Sequence, residues 1–277
     1  MSTGRMRALM PQGACDCHFH IFGPAAHYPY APERAYTPPD ALLDAYRAFQ
    51  AERGLQRSVI VQPSVYGLDN ACTLDALDAL GTDARGIVVV DDSISDGQIA
   101  AMHERGARGV RFNLLFPGGP DAALIGRVAD RVRPFGWHLQ FLIDCRNLPE
   151  LAPALRATGL PLVFDHFGHL PASEAMDARG FASMLDMIRD GSAWCKISGA
   201  YRISQEAEAA DCEPLALALA EAGPDRLVWG SDWPHPGFAN PSPGPDVLLE
   251  RLFEWMGDDL AAAILSRNPA RLYGFEE

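Results

Sequence analysis

Near the amino end, Cys15, Asp16, Cys17, His18, Phe19 and His20 crowd two thiols, a carboxylate and two imidazoles into one short run. Such groups can ligate a metal, form a redox pair or move protons, and the direction of each side chain decides which. The run reads as a strand, whose side chains alternate between faces. Under strict alternation Asp16, His18 and His20 share one face, with Asp16 deeper in the fold, while Cys15, Cys17 and Phe19 take the opposite face against surrounding helices. A zinc site built from both cysteines and both histidines would need both faces of one strand to reach one ion, so the spacing argues for an imidazole pair instead.

Other polar residues stand at the ends of other apolar runs. Arg111 and Asn113 lie in "RGVRFNLL", His166 in "LPLVFDHFG", Tyr201 and Arg202 at the end of "AWCKISGAY" and just beyond it, and Asp232 in "DRLVWGSDWPH". An aspartate with a reference pKa near 3.9 is ionised at neutral pH and can accept a proton from water. Imidazoles aimed at a carbonyl stabilise the oxyanion that forms under attack. The planar fork of arginine suits capture of a carboxylate. The neighbours His169, His235 and Asp165 read as structural, and His27, His103 and His138 carry no such signal.

The elements that must position these residues are eight short apolar runs at 14–20, 57–63, 85–92, 108–115, 137–144, 160–168, 193–201 and 225–235. Between them lie stretches with Leu, Ala and Val at helical spacing that end in glycine, such as 39–54, 70–81, 121–136 and 213–223. Near-continuous apolar strands alternating with helices predict a parallel sheet covered on both faces, and eight of them predict an α/β fold of the (β/α)8 TIM-barrel type. The expected organisation is one domain over 1–277, with 1–13 as an N-terminal extension. A doubly wound sheet is the competing architecture, but no glycine-rich phosphate loop follows the first run. In a barrel, catalytic groups come from the C-terminal ends of several strands, so the polar residues above would converge on one rim. The segment 21–39 and the proline-rich "WPHPGFANPSPGP" (233–245) read as long loops over that mouth.

The composition narrows the partners. A net charge of −13 without a basic run argues against nucleic acid or an anionic membrane surface. Lys196 is the sole lysine. No window approaches the ~20 apolar residues of a membrane span, and "MSTGRMRALMPQG" lacks the apolar core of a signal peptide, so a cytoplasmic location with six free thiols is expected. A monomer and a homodimer both fit.

The ordered set "DCHFHIFGP", "GVRFN", "FDHFGH", "KISGAYR", "WGSDWPHP" and "NPARLYGF" resembles the amidohydrolase superfamily, in the branch typified by 2-pyrone-4,6-dicarboxylate lactonase. The resemblance implies a metal-independent hydrolase that opens the lactone of a polar carboxylic acid. In that pattern His18, His20 and His166 polarise the carbonyl and Asp232 activates water. Arg111 and Arg202 hold carboxylates, with Asn113, Tyr201 and Tyr36 completing the substrate-binding set. Metal-dependent relatives carry a bridging carboxylated lysine or glutamate on the fourth strand and a histidine on the fifth. Here the fourth strand offers Arg111 and Asn113, the fifth offers Gln140, Leu142 and Asp144, and His138 stands at the wrong end. No metal or other cofactor is therefore expected; a bound ion would be one zinc on His18, His20 and Asp232, with His166 nearby. A lactone isomerase, a zinc-dependent decarboxylase of the aminocarboxymuconate-semialdehyde type and a non-catalytic carboxylate-binding barrel are the alternatives. Pyrone dicarboxylate members carry a further arginine after the fourth strand and a tyrosine on the fifth, where the nearest candidates here are Phe116 and either Gln140 or Phe141, which points to another anionic lactone, such as a muconolactone or a sugar-acid lactone.

Overall fold

Each of the eight apolar runs holds one strand in the computed structural model, which describes residues 3–116, 122–237 and 244–276. The strands are β1 (Cys15–Phe19), β2 (Arg57–Val61), β3 (Ala84–Val88), β4 (Ala107–Asn113), β5 (His138–Leu142), β6 (Leu162–Phe164), β7 (Ala193–Ser198) and β8 (Leu227–Gly230). All pair in parallel in chain order. The sheet curls back on itself at the mouth, where Asp232 N–H donates to His18 O (2.8 Å) and His20 N–H to Trp233 O (2.8 Å). Closure settles the architecture as the barrel rather than the open sheet. The polar ends of the runs leave the ladder early, so "DRLVWGSDWPH" keeps only Leu227–Gly230 as strand and spends the rest on the turn that carries Asp232.

Helices α1 (Thr3–Leu9), α2 (Leu43–Arg53), α3 (Ala71–Leu80), α4 (Asp96–Glu104), α5 (Ile125–Val132), α6 (Leu148–Ala157), α7 (Ala172–Ala175), α8 (Arg179–Arg189), α9 (Glu213–Ala222), α10 (Pro245–Ala262) and α11 (Asn268–Tyr273) accompany the strands. Local chemistry sets their ends. Ser95 and Gln98 form a reciprocal capping box at the start of α4, and Gly54 ends α2 in the left-handed region at φ 73°. One core fills the space between sheet and helices. A second fills the barrel interior with Cys15, Cys17, Val59, Val61, Ile87, Val163, Trp194 and Val228, joined by Tyr273 and Phe275. All six cysteines are buried and free. No helix among the described residues is long and apolar enough to cross a membrane.

This inner core corrects the alternation expected for β1. Cys15 and Cys17 face the barrel interior, whereas Asp16 turns outward to accept from Tyr46 Oη on α2 (3.2 Å) and Ser231 Oγ (2.6 Å). Pairing with β2 shifts register between Asp16 and Phe19, and such an irregularity breaks the two-residue period. His18 and His20 consequently still reach the interior, while Phe19 stacks on Tyr46 at 3.6 Å between ring centroids. Asp16 is a structural carboxylate, and burial, against its hydrogen bonds, pushes it up to about 6.

Candidate active site

Strand ends bring the first, sixth and eighth staves together. His18 Nε2 lies 3.3 Å from His20 Nε2, Asp232 Oδ1 is 3.8 Å and 3.6 Å from those two nitrogens, and Asp232 Oδ2 is 3.8 Å from His166 Nε2. The approach of β8 to β1 depends on glycine, since a Cβ at Gly230 would sit 2.5 Å from His18 Cβ. His166 and Asp232 both occupy the left-handed region, at φ 52° and 59°. That conformation costs ~1–2 kcal/mol for a residue with a side chain, so neighbouring bonds such as Asp232 N–H to His18 O must hold it.

Asp232 is the electrostatic centre. Its Oδ2 accepts from Tyr201 Oη (2.6 Å) and Arg202 Nε (2.6 Å), while buried Oδ1 has no hydrogen-bond partner among the described residues. Burial would raise its pKa, but Arg202 and the surrounding imidazoles hold it well below the usual carboxylate range. Burial also pushes the imidazoles down: His18 to about 3, against the pull of Asp165, with His20 and His166 lowered too. The centre is thus an ionised carboxylate among neutral imidazoles.

A cavity of about 300 Å³ opens onto it, lined by His20, His166, Arg111, Asn113, Tyr36, Ser64, Arg202 and Asp232, with Ala35, Phe116, Leu142 and Pro236 as apolar lining. Asn113 Oδ1 accepts from Leu115 N–H (3.2 Å) and Phe116 N–H (3.0 Å), which fixes its amide and leaves buried Nδ2 without a partner among the described residues. Arg111 donates to Gln62 O (3.2 Å) and Asp165 Oδ2 (3.5 Å), with its buried Nε unpartnered among the described residues. These two orphaned donors are what an anionic ligand would satisfy. Burial pushes the Tyr36 phenol up to about 12, so it stays a hydroxyl donor.

The candidates divide by position. His20, His166, Asp232, Arg111, Asn113, Arg202 and Tyr36 line the cavity; His18 and Tyr201 lie behind that lining. Arg202 directs its Nε to Asp232 and Nη2 to Pro236 O (3.1 Å). The loop 21–39 supplies Ala35 and Tyr36, and Pro236 and Gly237 come from the loop after β8, of which 238–243 lie outside the described residues.

Beneath the imidazoles lies a layer that the sequence reading passed over. Asp165, read there as structural, sits 3.2 Å from His18 Nδ1, accepts from Gln140 Nε2 (3.1 Å) and pairs with Lys196 at 3.5 Å. Lys196 is fully buried. A lone lysine inside an apolar strand was the available signal, since such a charge needs a partner.

The donor set also fits one metal ion. Ligand atoms of His18, His166 and Asp232 all lie within 4.8 Å of one another, His20 Nε2 is adjacent, and Asp232 Oδ1 is an orphaned buried acceptor. The inward cysteines stand outside that group.

Against known families, the amidohydrolase model matches residues 15–275. The chain belongs to the amidohydrolase family. Over 97% of this amidohydrolase and 92% of the relative, it is 36% identical to a 2-pyrone-4,6-dicarboxylate hydrolase of Comamonas testosteroni. It is 36% identical to a 4-sulfomuconolactone hydrolase of Rhizobium radiobacter over 96% of its own length and 91% of the relative. A D-galactarolactone isomerase of Agrobacterium fabrum is 28% identical over 95% and 91% of the respective chains. The amidohydrolase therefore falls in the family's lactonase-like branch.

Proposed function

We propose that this amidohydrolase opens the ring of a carboxylated lactone by water attack. The observation that carries the reading is the convergence of an ionised, buried Asp232 with His18, His20 and His166 beside the unpartnered donors of Arg111 and Asn113. Asp232 Oδ1 is the acceptor for the water proton, because Oδ2 is committed to Tyr201 and Arg202. Imidazole N–H groups and Asn113 stabilise the developing oxyanion. The proton on Asp232 then passes to the departing ring oxygen, leaving an open hydroxy or keto acid. Arg111 binds the substrate carboxylate.

Charge balance favours chemistry without a metal. Three cations, Lys196, Arg111 and Arg202, meet two carboxylates, Asp165 and Asp232, in this cluster. The excess positive charge attracts an anionic lactone and opposes a divalent ion in the low-dielectric interior. An ion bound by His18, His166 and Asp232 would polarise the carbonyl as a Lewis acid. Arg202 is engaged by Asp232, so Arg111 is the main anchor, which favours a lactone with one carboxylate near the reacting ring over a dicarboxylate.

A lactone panel assayed before and after exhaustive chelation tests the proposal. Hydrolysis of a carboxylated lactone at unchanged rate after chelation is the expected result; loss restored only by added zinc would overturn the metal-free reading. Resemblance to the galactarolactone isomerase favours a second reading, in which a substrate hydroxyl replaces water as nucleophile. NMR of the product separates a ring-shifted lactone from an open acid.

The pH dependence follows from the shifts. Asp232 is active when ionised and its pKa is depressed, so activity is lost only as pH falls below the ordinary carboxylate range near 4. Lowered imidazole pKa values remove any break near 6.5. A kcat/KM profile flat between about pH 5 and 8 is expected, and a bell centred on an imidazole pKa would contradict the assignment.

A further inference from the structure

Two neutral imidazoles in contact can share their protons in several ways, but here both ends of the chain are fixed. At one end, Val61 O lies 2.7 Å from His20 Nδ1 and can only accept. His20 therefore carries its proton on Nδ1, and its Nε2 is an acceptor. His18 Nε2 lies 3.3 Å away and must supply the proton for that contact. His18 Nδ1 is then bare. At the other end, Lys196 Nζ lies 3.2 Å from that nitrogen and can only donate.

The other contacts of Lys196 agree. Lys196 donates its other protons to Cys17 O (2.9 Å) and Gln140 Oε1 (2.8 Å), and the Gln140 amide is oriented by donation from Nε2 to Asp165 Oδ2 (3.1 Å). The opposite tautomer of His18 would aim an N–H at an ammonium and leave two lone pairs facing across 3.3 Å. Asp165 Oδ1, though 3.2 Å from His18 Nδ1, takes no hydrogen bond among the described residues.

We propose that Lys196 is a positioning residue: it fixes the His18 proton on Nε2 through a one-way hydrogen-bond chain running from Lys196 through His18 and His20 to the Val61 carbonyl. The centre thereby holds an N–H that can turn from His20 to a developing oxyanion, in place of a bare lone pair. A metal ion at His18 Nε2 would first have to expel that proton. The catalytic half of the inference rests on the lactonase reading; the proton assignment does not.

Nitrogen NMR of chelated protein labelled with ¹⁵N-histidine, with signals assigned by their loss in His18→Gln and His20→Gln, tests the assignment. The expected spectrum shows a bare, pyridine-type Nδ1 on His18 and a protonated Nδ1 on His20. A protonated His18 Nδ1 in the wild type would overturn the proposal, and this measurement stands even if the Lys196 variants fail to fold. Lys196→Met should mix the His18 tautomers and lower kcat about ten- to a hundredfold with KM within about twofold, while Lys196→Arg, also a donor-only side chain, should restore part of the loss. Unchanged kcat in a folded Lys196→Met with mixed tautomers would remove the catalytic half. A silent lactone panel beside the expected wild-type spectrum would instead sink the lactonase reading and leave the proton assignment standing.

Discussion

Asp232→Asn is expected to lower kcat by about a thousandfold, within the range for removal of a positioned general base. Asparagine keeps the size of the side chain and can still accept from Tyr201 and Arg202 through its carbonyl oxygen. What it loses is the charge and the acceptor at Oδ1, the atom that has no hydrogen-bond partner among the described residues and so can take a proton from water. KM should change much less, because Arg111 and Asn113 still hold the substrate. Steady-state kinetics on the lactone identified by the panel measure both constants, with a thermal melt to show that the variant is folded. Near-wild-type turnover in the folded variant would remove Asp232 from its role.

Arg111→Met is expected to act on the other constant, raising KM for a carboxylated lactone about a hundredfold, equivalent to ~3 kcal/mol for a buried charge-assisted pair. Methionine retains much of the side-chain volume but cannot meet a carboxylate. Asp165 keeps Lys196 and Gln140 as partners, so the layer beneath the imidazoles should survive. A lactone of the same ring without the carboxylate serves as control, and its KM should be nearly unchanged. An equal loss for both substrates would mean that Arg111 supports the fold rather than the anion.

Much of the architecture was readable because the barrel rests on local signals. "RSVIVQP" and "WHLQFLID" are too apolar and too short for anything but buried strands, and the helical runs between them end in glycines such as Gly54 that only a helix stop explains. Once eight such units are counted, the strand-end location of His18, His166 and Asp232 follows from chain direction. Asp16 was misplaced because alternation has no memory of a register shift: one irregular step between Asp16 and Phe19 exchanged the faces of the cysteines and the aspartate. Asp165 was set aside because its neighbour His166 carried the stronger signal, and a residue acting through another looks like filler in one dimension.

The amino-acid sequence by itself determined the fold class, the order of the staves and which end of the barrel would carry polar groups, because hydrophobic period and helix stops are properties of consecutive residues. Only the tertiary structure decided which oxygen of Asp232 is free, that Arg202 serves the carboxylate as well as the cavity, and that Lys196 stands under His18. Those outcomes turn on short distances between residues far apart in the chain, such as the 3.8 Å between His18 Nε2 and Asp232 Oδ1, 214 positions apart. Hydrogen bonding and desolvation at that range depend on geometry that no spacing along the chain encodes.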